Sequence, residues 1–337
     1  MTTTKMEIVS DQPKSHGNSG QIPPRVIISF DVEEHYRVEA AYALPCSNEQ
    51  KATYHQRMVA TTQRLLESLA LADAKATFFF VGQIAEQSPQ LIREVYRAGH
   101  EIACHSWDHQ RITRHTPDSF AEDIRKNKDI LEQCIGQRVI GFRAPTFSIL
   151  PATAWAIDVL LRCGFEYDSS IFPVRHDRYG IPAAPRYPFL ACSKTASNSS
   201  TILEFPPTTY RLLKYQLPVA GGGYFRLLPT FFMDMGIRQI SRLPVPVSML
   251  YFHPWEFDPD QPKLNLSSRL SRMRTYIGIS SNHARLKKLL QRYRFTRACD
   301  VAAQLNNLPL HPSLHPYEIS SPTTNLDTTQ NRLSSSP

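Results

Sequence analysis

Glycine is scarce in this 337-residue chain: there are 13, half the number of prolines (26). Its loops are therefore shaped more by fixed φ than by free backbone. The six cysteines (Cys46, Cys104, Cys134, Cys163, Cys192, Cys299) stand singly, with no C-x-x-C pair, so reduced thiols are the expectation. No apolar run reaches the length of a membrane span. Residues 1–24 have neither an apolar core nor a small-residue cleavage pattern, and they read as a disordered leader rather than a secretory signal. The tail, 311–337, is rich in Ser, Thr, Pro and Asn and reads the same way. A cytoplasmic protein is the resulting expectation, with the inner-membrane periphery as its alternative address.

Acid is missing from one long stretch. Between Gln261 and Cys299 ten Lys or Arg occur and no Asp or Glu, which accounts for the whole net charge of +8. The basic segment 263–297 can approach an anionic membrane surface or a glycan. No nucleic-acid module accompanies it, so no nucleic-acid partner is expected. The plain alternative is a solvated helix, because Leu286, Leu289, Leu290 and Tyr293 fall on one helical stripe that would dock on a core.

What is present is a strand–helix rhythm. Strands are expected at 25–30, 76–81, 100–104, 139–143, 166–169, 202–205 and 248–252, with helices at 54–71, 89–98, 117–134 and 151–163 between them. Ser88-Pro89 and Thr116-Pro117 mark two helix starts, and Gly99, Gly136 and Gly164 mark ends. Strands apolar on both faces, repeated with helices, imply a parallel sheet, and this many units favour a barrel. Residues 173–200 break the rhythm as a long insertion. Gly221-Gly222-Gly223 lacks the Lys-Ser or Lys-Thr of a phosphate loop.

Chemically interesting groups follow the strand ends, where active sites of parallel barrels assemble. Asp31 and Glu33, two apart, project from one face of an extended backbone, and two such carboxylates call for a cation or a proton. His105 and His109 offer imidazole nitrogens suited to zinc and other borderline metals. Two histidines with one carboxylate leave open positions for water and substrate. Arg143 can fix a carboxylate by two parallel hydrogen bonds, and the Thr146 amide can face a developing oxyanion. His253 is a candidate general acid, and Asp168 can orient that imidazole or the arginine. His100 and Cys104 read as structural residues.

The run Ala98-Gly99-His100-Glu101-Ile102-Ala103-Cys104-His105-Ser106-Trp107-Asp108-His109 resembles the second motif of the polysaccharide deacetylases, carbohydrate esterase family 4, also called NodB-homology domains. Arg143-Ala144-Pro145, Asp168-Ser169-Ser170 and Tyr251-Phe252-His253 resemble its third, fourth and fifth motifs. The resemblance implies a catalytic domain over 25–300 with a distorted (β/α)7-type barrel. Residues 251–300 are similar to a C-terminal extension found in a subfamily associated with exopolysaccharide loci and exosortase systems. It also implies metal-dependent hydrolysis of N-acetyl groups on an amino-sugar polymer, with zinc, or cobalt or another divalent ion, as cofactor. Asp31 would be the base, His105 and His109 metal ligands, and Arg143 the residue positioning the base. His253 would be the acid, Asp168 a support, and the Thr146 amide part of the oxyanion site. The family's adjacent Asp-Asp is replaced by Asp31-Val32-Glu33-Glu34, which makes Glu33 the third ligand with Glu34 as alternative. Thr146 stands for an aromatic residue and Ser170 for a tryptophan. Two other readings remain at this point: a hydrolase of a small cyclic amide or imide, similar to allantoinase, and a non-catalytic glycan or membrane-surface protein.

Overall fold

The computed structural model describes residues 24–193, 200–266, 269–307 and 314–319. The leader up to residue 23 and most of the tail lie outside them. The first described strand is β1 (Arg25–Val32), whose side chains alternate between two faces. Val26, Ile28, Phe30 and Val32 join the core beneath the helices, whereas Ile27, Ser29 and Asp31 face the opposite way. A period of two thus puts an apolar layer outward and chemistry inward. Helix α1 (Asn48–Leu71) follows, six residues longer than its periodicity suggests. Its true start is a capping box in which Ser47 Oγ accepts from the Gln50 amide at 3.2 Å and Gln50 Oε1 accepts from Ser47 N at 2.9 Å.

The units β2 (Thr77–Phe80), α2 (Gly82–Gln87), α3 (Pro89–Arg97), β3 (Glu101–Cys104), α4 (Pro117–Ile135) and β4 (Gly141–Phe142) come next. Thr116 caps α4 through the Ser119 amide, and Gly136 closes it at φ 68°. Ser88 makes no such cap: its hydroxyl bonds His55 Nε2 at 2.7 Å instead. The helix expected over 151–163 splits into a 3-10 turn, Pro151–Thr153, and α5 (Ala156–Arg162). β5 (Tyr167–Asp168), β6 (Phe189–Ser193) and β7 (Ile202–Glu204) follow, then a hairpin of β8 (Thr209–Leu212) and β9 (Tyr215–Pro218). The expected insertion over 173–200 therefore contains a strand.

Helices α6 (Gly222–Leu227) and α7 (Thr230–Ile240) lead to β10 (Val247–Phe252). After it come α8 (Arg269–Tyr276), α9 (Ile279–Arg292), β11 (Phe295–Thr296), α10 (Ala298–Asn306) and β12 (Pro316–Ile319). The last strand corrects the reading of an unstructured tail from residue 311. Pro316–Ile319 pairs in parallel with β6, and Ile319 is 1% exposed. Its Tyr317 and Ile319 bury what Ser/Thr/Pro-rich composition conceals.

The main sheet runs β10-β1-β2-β3-β4-β5-β7-β6-β12. Seven neighbours, from β10 to β7, are parallel, and an isolated parallel bridge between Pro207 and Met249 brings the chain after β7 against β10. This is the distorted (β/α)7 barrel expected from the sequence. α10 seals its lower end. Ala298, Val301, Ala302 and Leu305 pack with Ile27, Phe79 and Met249, and buried Glu101 receives the Cys299 amide at the helix start. The leucine stripe of α9 is buried as expected (Leu286, Leu289, Leu290). Several cations of the basic segment are tied down: Arg292 to Asp234 and Arg297 to Asp300. Among the described residues no helix is long and apolar enough to cross a membrane.

Candidate active site

The C-terminal ends of β1, β3, β4 and β10 open into one cleft of about 480 Å³ lined by Asp31, Glu33, His105, His109, Thr146 and His253. Inward alternation on β1 carries Asp31 and Glu33 there, both 2% exposed. The loop after β3 turns sharply, with Ser106 at φ 62° and His109 at φ 67°, and brings the two imidazoles to 5.1 Å between ring centres. It is a strained loop, not a helical turn. Four of the six non-glycine residues with positive φ among those described lie at this site, Thr146 (φ 55°) and Phe147 (φ 49°) being the others. Each such residue costs roughly 1 kcal/mol or more, a cost carried mostly at functional loops.

Glu33, His105 and His109 offer ligand atoms within 4.8 Å of one another. Glu33 Oε2 is buried and meets His109 Nε2. His105 Nδ1 donates to the Arg143 carbonyl at 2.7 Å, which leaves Nε2 free to face Glu33 and His109. Burial pulls the His105 pKa down to about 4, so the ring is neutral and able to ligate. Burial alone would raise the Glu33 carboxyl, but the charge and hydrogen bond of His109 hold it well below the usual range. A buried carboxylate oxygen set between two imidazoles fits a divalent cation. Glu34, the alternative ligand, turns away: it pairs with Arg37 Nε at 2.5 Å and His55 Nδ1 at 3.0 Å. Being one residue on, it emerges on the other face.

Arg143 is fully buried and holds Asp31 through a single bond, Nη1 to Oδ1 at 2.6 Å. The two parallel bonds expected from the sequence do not form, because the rest of the guanidinium is shared out. Nη1 also donates to Ser29 Oγ (2.8 Å), Nη2 to Ser169 Oγ (2.8 Å) and Nε to the Ser169 carbonyl (3.1 Å). His253 Nε2 stands 3.8 Å from both Asp31 Oδ2 and Glu33 Oε1. Burial would lower its pKa, but the hydrogen bond to Glu256 and the charges of Glu33, Glu256 and Asp31 raise it to about 9. Its charged, proton-donating form therefore prevails at neutral pH.

Asp168 ends β5 and supports the site by another route than orienting the arginine or the imidazole. It makes no hydrogen bond to Arg143 or His253; its Oδ1 accepts from Ser170 Oγ at 2.5 Å, and Ser170 Oγ accepts from the Ala144 amide at 2.8 Å. It thus braces the loop that carries Thr146. Burial raises both Asp168, to about 6, and its neighbour Glu204, well above the carboxylate range, so the pair retains a proton.

Several site residues escaped the sequence reading. Trp255 Nε1 donates to Glu33 Oε1 at 3.2 Å, and its ring stacks on His253 with centres 5.3 Å apart. Phe147, Tyr179 and Tyr251 also line the cleft, with Phe147 edge to face on Tyr251 and tilted against Tyr179, supplying the aromatic wall that Thr146 and Ser170 do not. Glu256 and Arg226 stand behind His253. The one available signal was the His-Pro-Trp-Glu run, which places Trp255 and Glu256 on one turn beside His253.

Residues 24–167 match the family model described as polysaccharide deacetylase, and residues 169–303 match a domain of unknown function (DUF3473). A peptidoglycan-N-acetylglucosamine deacetylase of Bacillus cereus is 30% identical over 89 residues, 26% of this chain and 32% of its own length. The chain thus spans about a third or less of the first curated relatives it matches. The crystal structure of a probable polysaccharide deacetylase from Pseudomonas aeruginosa is similar with a TM-score of 0.56 at 18% identity, covering 84% of this chain and 90% of that one. An allantoinase is similar with a TM-score of 0.54 at 17% identity, covering 88% and 98%. At such identities the likeness concerns the fold alone. Residues 24–167 thus match the polysaccharide deacetylase family model, and the second half of the chain continues the same barrel.

Proposed function

We propose that this protein is a metal-dependent N-deacetylase of amino-sugar polymers acting in exopolysaccharide formation. The observation that carries the reading is the convergence of the Glu33–His105–His109 group, Arg143-held Asp31 and His253 in one cleft. A bound divalent cation, zinc in this reading, would polarise the acetyl carbonyl and lower the pKa of water. Asp31, aligned by Arg143, takes the proton of the attacking water. His253 gives a proton to the nitrogen as the carbon–nitrogen bond breaks, so that acetamide and water become acetate and amine. The Thr146 amide, on a strained turn at the cleft wall, is the proposed donor to the carbonyl oxygen. The polymer role rests on the aromatic wall, against which sugar rings pack, and on the resemblance of 251–300 to the exopolysaccharide-associated extension.

The test combines metal analysis with acetate release from N-acetylglucosamine oligomers. Wild type should bind one divalent ion and release acetate. Glu33→Gln should lose the ion and Glu34→Gln keep it, while Asp31→Asn keeps the ion and loses about 100-fold or more in rate. Acetate release that survives Asp31→Asn within a few-fold refutes the mechanism. Turnover of cyclic amides without acetate release would favour the allantoinase-like reading.

A further inference from the structure

We propose that Glu256, locked in place by Arg226, is the positioning residue of the proton donor His253. The domain of unknown function would thereby supply the acid half of the reaction. The inference rests on the deacetylase reading and deepens it. Glu256 is the third residue of a 3-10 turn, Pro254–Phe257, which His253 caps. Its Oε2 accepts both the His253 backbone amide, at 3.0 Å, and His253 Nδ1, at 3.2 Å. With Nδ1 engaged as a donor, the ring is fixed in the orientation that points Nε2 at the cleft, 3.8 Å from Asp31 and Glu33. One carboxylate oxygen therefore sets both the backbone start and the side-chain rotamer of the donor.

The other oxygen holds the carboxylate itself. Glu256 Oε1 accepts from Arg226 Nε at 3.0 Å, and the two residues are 0% and 5% exposed. Arg226 Nη1 reaches on to the carbonyls of Thr275 (2.7 Å), in the last turn of α8, and Ile277 (3.1 Å), just past its end. Gly278, at φ 74°, permits that approach, since a Cβ there would lie 2.7 Å from the Arg226 carbonyl. A buried ion pair contributes little net stability over a well-packed apolar pair. What this one provides is a fixed address for the imidazole. Asp168, the other acid near the site, hydrogen-bonds Ser170 and cannot take that role from its position.

Leaving-group chemistry separates positioning from mere structural support. An amine departs only after its nitrogen is protonated, whereas 4-nitrophenolate leaves an acetyl ester without a proton. Glu256→Gln should lower kcat on N-acetylglucosamine oligomers about 100-fold, with KM and 4-nitrophenyl acetate hydrolysis changed only a few-fold. Because the single change strands the Arg226 charge, Arg226→Met combined with Glu256→Gln removes both charges and should show the same split. Asp168→Asn should affect amide and ester alike. An unchanged amide rate in the Glu256 variants, or amide and ester rates that fall together, overturns the inference. Wild-type protein that releases no acetate from amides sinks the deacetylase reading as well, and the two failures are thereby told apart.

Discussion

Neighbouring acids can have opposite fates on one strand. Glu33 continues the inward face of β1 and meets two imidazoles; Glu34 emerges behind it and is neutralised by Arg37 and His55. That much is legible from a period of two, and so are Asp31 and the histidine pair. Trp255, Glu256 and Arg226 were not, because their roles depend on β10 lying beside β1, a pairing across more than 200 residues. Likewise the single bond from Arg143 to Asp31 reflects competition from Ser29 and Ser169, which no spacing reveals. At this scale His100 gives a clean prediction. It is buried, its Nδ1 accepts from the Ala76 amide at 3.2 Å, and burial lowers its pKa to about 4. The folded state prefers the neutral ring, so its contribution is intact above pH 6.5 and drains as pH falls toward 4. His100→Asn keeps an acceptor without a titrating ring. Between pH 7 and 5 it should lose about 2 kcal/mol less stability than wild type in chemical denaturation.

Elements show where sequence signals compete. Thr116 and Gly136 bound α4 as their chemistry dictates, but the Ser88 hydroxyl serves His55 instead of capping α3. Ser47 and Gln50 define the start of α1, upstream of the apolar period. β4 has only two residues, and the first of them is tightly packed. Gly141 lies against the ring of Tyr167, whose hydroxyl donates to Glu101 Oε1 at 2.8 Å in the barrel floor. A Cβ at 141 would sit 2.1 Å from that ring. Gly141→Ala should therefore destabilise the protein by about 3 kcal/mol or more, read as a lowered urea midpoint with an unchanged slope. An effect under about 0.5 kcal/mol would show that the Tyr167–Glu101 floor yields freely.

On the scale of the molecule, strand–helix rhythm was enough to give a barrel, since both-face-apolar strands have few other solutions. Its closure was not legible: Pro207 meets Met249 through one bridge, and the strand at 316–319 hides in a polar tail. The boundary between the two matched segments, near residue 168, cuts through the barrel and leaves β1 without β10. A fragment ending at residue 168 should show no cooperative thermal transition and no dispersed amide spectrum. A folded fragment would contradict the single-core description.

The register of β1 against β10 also has a consequence in time. Ser29 pairs with Tyr251, and its hydroxyl bonds the Leu250 carbonyl across 221 residues. During synthesis one edge of the first strand must wait for nearly three quarters of the chain to be made. Loop closure on that scale is slow and leaves sticky edges exposed, so folding is of the kind that benefits from chaperones. Asp31 and His253 meet only when β10 docks, so the cleft takes shape late in the making of the molecule.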